Sequence, residues 1–93
     1  MTVIWKYQLD HEITTVGMPP GAVPIAAQMQ HGRLVLWARI SWESGTIPER
    51  REARTFAVRA TGQGYTPEGQ ETYIATIQAK DGALVWHVFE ATP

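Results

Sequence analysis

The stretch "DGALVWHVFE" (Asp81–Glu90) places a histidine, His87, three residues before a glutamate, Glu90. A histidine beside a carboxylate is a common proton relay, in which the imidazole exchanges the proton and the carboxylate fixes its tautomer. The surrounding run is β-type, however, and in a strand residues three apart project from opposite faces. His87 shares its face with Val85 and Phe89. It reads as a half-buried strand histidine bonded to a neighbouring strand, and the pair fails as a catalytic unit on geometry. A metal site fares no better. Zinc needs three or four ligands converging at about 2.0–2.3 Å, and the chain offers His11, His31 and His87, two of them in expected hairpin turns. The chain has no cysteine, which removes thiol nucleophiles, thiolate ligands and disulfides. Ser41 and Ser44 flank Trp42 outside any nucleophile motif. No catalytic residue, metal ligand or cofactor is expected, and the chain reads as a non-enzyme.

Other residues suit recognition. "TGQGY" (Thr61–Tyr65) contains a G-x-G, but Thr66-Pro67 follows where a dinucleotide fingerprint needs a third glycine and a helix. It reads as a loop whose backbone N–H groups around Gly62 and Gly64 could form at most a small anion nest. Arginine outnumbers lysine six to two, a bias that suits bidentate contacts to carboxylate or phosphate. Arg50, Arg51 and Arg54 share the charged segment Glu43–Arg54, while Arg39 and Arg59 lie on strands. Glu49 and Glu52 are interleaved there, so internal pairing competes with recognition. Trp42, Tyr65 and Tyr73 stand at strand ends or in loops, where an exposed aromatic can anchor an interface. The candidate residues for binding a partner or an anion are Arg50, Arg51, Arg54, Arg59, Gly62, Gly64, Tyr65 and Trp42.

Short β-type runs must position these residues. Thr2–Leu9, Glu12–Gly17, Ile25–Gln30, Arg33–Trp42, Thr55–Gly62, Thr72–Ala79 and Gly82–Glu90 are separated by turn chemistry. His31-Gly32 and Lys80-Asp81-Gly82 mark hairpins. The proline-rich Met18–Pro24 reads as a turn leading into a strand. Pro48–Arg54, with proline at its first position, is the candidate for a short helical turn. Trp5, Trp37, Trp86, Phe56 and Phe89 are assigned to the core, so Trp37→Ala or Trp86→Ala is expected to unfold or severely destabilise the domain. The sequence thus predicts a single all-β domain over residues 1–93, a small antiparallel β-sandwich or open barrel of about seven strands.

Size and charge narrow the function. A chain of 93 residues buries one core and no large cavity. A formal net charge of −1 provides no global field toward nucleic acid or anionic lipid. The first ten residues mix both charges without an apolar h-region, and no apolar run approaches the roughly 20 residues of a membrane helix. A cytoplasmic domain is expected, with neither membrane nor nucleic acid as its partner.

"KYQL", "MPPGAVPIAAQMQHGRLVLWARI", "RTFAVRATG" and "LVWHVFE" succeed one another as they do in a family of short bacteriophage and prophage proteins, an uncharacterised domain of unknown function. The chain resembles that family over nearly its whole length, most specifically in "GRLVLWA" and "LVWHVFE". The resemblance implies a phage-encoded accessory protein acting in the host cytoplasm, and it carries no catalytic residues to transfer. The expected function is a non-enzymatic viral protein that inhibits a host protein, such as a component of antiviral defence, by occluding it with an interface of about 800 Å² on its own side. Two alternatives stay open. One is a homo-oligomer sequestering a small anionic ligand, such as a signalling nucleotide, between subunits. The other is a virion structural or assembly protein.

Overall fold

The structure is a computed structural model describing residues 1–93. Strand alternation decides its architecture. The strands are β1 (Thr2–Gln8), β2 (Ile13–Met18), β3 (Val23–Gln30), β4 (Arg33–Ser41), β5 (Glu52–Ala60), β6 (Gln70–Ala79) and β7 (Leu84–Thr92). They form a three-stranded sheet in the order β1-β4-β3 and a four-stranded sheet in the order β2-β5-β7-β6, with every pairing antiparallel. The result is an all-β sandwich with no helix and no closed barrel. No helix in it is long and apolar enough to cross a membrane.

Each expected strand forms, and both hairpins turn where glycine and its neighbours adopt positive φ. His31 and Gly32 lie at +52° and +77°, the pair of left-handed residues a two-residue hairpin needs. Two local expectations are corrected. Pro48–Arg54 makes no helical turn; Glu52–Arg54 opens β5 instead, because pairing with β2 (Ala53 opposite Gly17) satisfies its backbone across the sheet. The proline-rich segment is shorter than expected, since β2 runs to Met18 and β3 starts at Val23 with Pro24 inside it. β3 is an edge strand with a bulge between Pro24 and Ala26, the setting in which a strand tolerates proline.

The core lies between the inward faces. Leu34, Leu36, Ala38 and Ile40 of β4 meet Phe56, Val88 and Ile77 of the other sheet, and Val3, Trp5 and Tyr7 of β1 pack against this cluster. Phe56 is fully buried. The expected aromatic core is otherwise corrected by register. Trp37 alternates with the inward residues of β4, so it is half-buried on the outward face of the three-stranded sheet. Phe89 is half-buried on the outward face of the other sheet, edge-on to Tyr73 with ring centroids 5.9 Å apart. Trp86 points inward but stands half-buried at an open end of the sandwich, and Trp5 is half-buried against the core.

One connection shapes the outer surface. β5 and β6 each pair antiparallel with β7, which lies between them, so β5 and β6 run parallel. The segment Thr61–Gly69 therefore carries the chain back along the four-stranded sheet. Gly69 sits at φ +57°, where a Cβ would collide with the Thr92 carbonyl oxygen, so this close approach requires glycine.

Phe56→Ala should lower unfolding free energy by about 3–5 kcal/mol, and Trp37→Ala by well under half of that, as read by urea melts of both variants. A Trp37→Ala variant as unstable as Phe56→Ala would contradict the register that turns Trp37 outward.

Candidate functional site

The eight candidate residues occupy two separate places. Arg54 and Arg59 are five apart on β5, so they leave opposite faces of the four-stranded sheet. Arg54 shares the inward face of Phe56. Its Nε and Nη2 both donate to the Glu90 carboxylate, the latter at 2.8 Å, and its Nη1 donates to the Ala22 carbonyl at 3.0 Å. The guanidinium thus joins β7 to the segment that leads into the other sheet. Arg51 donates to the carbonyls of Pro48 and Arg50 at 2.5 and 3.0 Å, and its guanidinium lies 5.7 Å from the Trp5 ring centroid. Arg50 is exposed, 3.9 Å from Glu52. Trp42 is half-buried and donates from Nε1 to the Gly45 carbonyl at 3.0 Å.

Arg59 organises the second place. Its Nη2 donates to Glu71 Oε2 at 2.5 Å, its Nη1 to Glu12 Oε1 at 3.0 Å, and its Cζ lies over the Tyr65 ring, 4.1 Å from the centroid. Gly62 and Gly64 lie exposed in the same connection. Arg59 is only 5% exposed, and the Glu71 side chain is similarly covered. The direct bond from Arg59 holds the Glu71 carboxyl below the usual glutamate value against the opposing effect of burial, and the Glu68 N–H adds to it. Arg54 and Arg59 spend their donors inside the fold. The structure does not gather the eight residues around one anion.

His87 and Glu90 also stand apart, on opposite faces as alternation requires. His87 lies between hydroxyls, with Nε2 2.7 Å from Thr61 Oγ1 and Nδ1 3.0 Å from Thr76 Oγ1. No three His, Asp or Glu side chains cluster in a way that could hold a metal ion. The Tyr7 hydroxyl is buried without a hydrogen-bond partner. Burial pushes its pKa up, and the nearby charges of Arg51 and Arg54 pull against that rise. At the open end, Leu34, Met29, Val58 and Trp86 floor a cleft of about 290 Å³ with His11 and Arg33 at its lip, at the lower limit of small-molecule pockets.

Sequence reasoning missed the outward face of the three-stranded sheet. Thr2, Ile4, Lys6 and Gln8 of β1 share it with Arg33, Val35, Trp37, Arg39 and Ser41 of β4, and with Val23, Ala26, Gln28 and Gln30 of β3. Val35 is buried by its neighbours, Trp37 is half-buried, and Ile4 and Val23 are 55% and 43% exposed. Lys6 donates to Gln30 Oε1 at 2.8 Å. None of Lys6, Arg33 and Arg39 has a carboxylate within ion-pair distance, and the face carries no Asp or Glu. The readable signal was "LVLWARI", where Val35, Trp37 and Arg39 form a second stripe opposite the core stripe.

The model of a family described as a domain of unknown function (DUF7352) matches residues 1–93, and the chain belongs to that family. No curated protein and no solved structure matches it.

The Arg59–Glu71 pair predicts a pH dependence. Glu71 is depressed in the folded state, so on acidification the unfolded chain takes up the proton first. Its contribution is complete above the ordinary glutamate range and disappears as pH falls through the depressed folded value. Thermal melts across the acid range should therefore show stability rising with pH, with a shallower rise for Glu71→Gln. An equal slope in wild type and variant would disconnect the pair from stability.

Proposed function

We propose that this chain is a non-enzymatic binding protein that occludes an acidic protein surface with the outward face of its three-stranded sheet. The observation that carries this reading is the face itself. It combines the exposed apolar side chains of Ile4 and Val23 with a half-buried central tryptophan, Trp37, and with Lys6, Arg33 and Arg39 lacking carboxylate partners. Tryptophan and arginine are the residues most enriched among interface hot spots. Unopposed cations on a protein of net charge −1 favour a partner of complementary sign and speed its encounter. The outward face of the other sheet is partly covered by Thr61–Gly69, with Tyr65 seated on Arg59.

The resemblance to bacteriophage and prophage proteins supports the setting. In that setting the chain is a phage accessory protein in the host cytoplasm, its partner is a host protein, and inhibition of an antiviral defence component follows from occlusion alone. Blocking a surface requires no catalytic group, only complementary shape and charge.

The test compares tagged wild type with Trp37→Ala and with Arg33→Glu/Arg39→Glu in host lysate. Wild type should retain a host protein at fixed stoichiometry. Added salt should release it, because exposed charges are screened over about 8–10 Å near physiological ionic strength. Each variant should keep the wild-type melting profile to within a few degrees and lose at least ten-fold in retention. Undiminished retention by both variants removes this face from the site. A wild type that retains nothing removes the binding reading.

A further inference from the structure

A sandwich has sheet edges, and each is a row of unpaired backbone groups that can recruit another strand. Three of the four edges here are protected. β3 carries Pro24 and a bulge that leaves Ile25 out of the register, and β6 carries a bulge that leaves Ile74 out of it. Those two edges lie beside one another, along a groove flanked by Ile25–Met29 and Ile74–Gln78. β2 has only 6 residues, contains Gly17 and ends against Pro19-Pro20. β1 differs from all three. Its 7 residues, TVIWKYQ, pair with β4 in unbroken register and contain no proline, glycine or bulge.

The direction of its free groups follows from the ladder. Leu9 N–H donates to the Leu34 carbonyl and Trp42 N–H to the Met1 carbonyl, so odd-numbered residues of β1 exchange bonds with β4. Antiparallel pairs alternate strictly between bonded and non-bonded. The N–H and C=O groups of Thr2, Ile4, Lys6 and Gln8 therefore point away from the sheet. No other backbone or side-chain hydrogen bond in the fold uses any of them.

We propose that the free edge of β1 pairs with the same edge of a second copy of this chain, joining two three-stranded sheets across a two-fold axis at Trp5. The edge is self-complementary in that register. Thr2 stands opposite Gln8 of the second copy and Ile4 opposite Lys6, so every outward-pointing group of both strands finds a partner. Shifting the register by two residues in either direction strands one end. On the outward face the Lys6 stem covers Ile4 of the other copy. The two Lys6 residues are diagonal rather than directly opposed, with Cα atoms roughly 7–8 Å apart. On the inward face the half-buried Trp5 rings meet at the axis. Area points the same way. The chain exposes 6027 Å², whereas a monomer of its mass is expected to expose about 5,400 Å². The excess, about 600 Å² by that scaling, is smaller than the ~800 Å² per partner that a standard interface covers, as a pairing of single edge strands requires.

This pairing does not rest on the acidic-partner reading, and the purified chain tests it alone. Light scattering should give about twice the 10.4 kDa chain mass for wild type and the single-chain mass for Ile4→Pro. Proline at position 4 removes an N–H that faces away from β4, where an edge strand tolerates it, so circular dichroism should stay that of wild type. Cysteine variants of this cysteine-free chain report the register, whether or not the proline variant folds. Ile4→Cys mixed with Lys6→Cys should give a disulfide-linked heterodimer under mild oxidation, since directly opposed bonded residues have Cα atoms about 5.5 Å apart. Ile4→Cys alone should cross-link several-fold less. A monomeric wild type, a dimer surviving in folded Ile4→Pro, or equal cross-linking of Ile4→Cys with itself overturns the pairing. A dimer that retains no host protein overturns the occlusion reading and leaves the pairing standing.

Discussion

Arg59 is the charge around which the four-stranded sheet is finished. A guanidinium taken out of water needs carboxylates to offset its lost hydration, and removing one member of such a pair costs about 3–5 kcal/mol. Arg59 has the covered Glu71, the exposed Glu12 and the face of Tyr65. The need for this pair comes from topology. Ala60 at the end of β5 is level with Trp86 on β7, and Gln70 at the start of β6 is level with Thr92. The chain must therefore return about 20 Å along the sheet, at about 3.4 Å per residue, while crossing β7. The inward side is filled by Phe56 and Val88, so the return runs outside. Arg59 lies just before the connection and Glu71 just after it, and their pairing closes it like a clasp. Ala57, an outward-facing residue of β5, is fully buried in consequence.

The same topology leaves the three-stranded sheet without such a cover. Its strands are joined by a two-residue hairpin and by crossings to the other sheet, and none of these connections has to pass over its outward face. One face of the sandwich is partly covered by the chain's own crossover, and the opposite face keeps Ile4, Val23 and Trp37 in contact with water. The charges divide likewise. Arg54 and Arg59 are bound by Glu90, Glu71 and Glu12 in the four-stranded half, and Lys6, Arg33 and Arg39 are left without carboxylates in the other. A net charge of −1 conceals this separation.

The strands were legible because period-2 alternation and turn residues are local signals, and both survive folding. "HG" and "KDG" turned where they should, and opposite faces for His87 and Glu90 followed from counting residues. The burial of particular aromatics was not legible. Alternation assigns Trp37 and Leu36 to different faces without saying which face is covered, and the larger side chain proved to be outside. Arg54 and Glu90 were equally obscure. They lie 36 residues apart, and their contact exists because Glu90 pairs with Phe56, two residues along β5. Arg59 was legible as a strand residue, but its burial depends on a crossover that only the strand order reveals. Met18–Pro24 shows a local rule overridden, as an edge position and a bulge made room for Pro24 in a strand.

The free edge and the exposed face belong together, for a reason intrinsic to β1. In an antiparallel strand the side-chain direction and the backbone-bonding direction both reverse at every residue. Residues whose N–H and C=O point off the edge therefore place all their side chains on one face. In β1 these are Thr2, Ile4, Lys6 and Gln8, and the face is the uncovered one. A second copy joined at this edge would lengthen the same apolar and cationic face across the axis, placing Ile4 of one chain beside Lys6 of the other and a Trp37 on either side. Two weak contacts to a symmetric partner would then act as one, with the second engagement made intramolecular by the first. A flat face of three strands is modest for a lone interface; across the axis it doubles without a new residue. Pairing and occlusion are physically separable, but the register of a single strand aligns them.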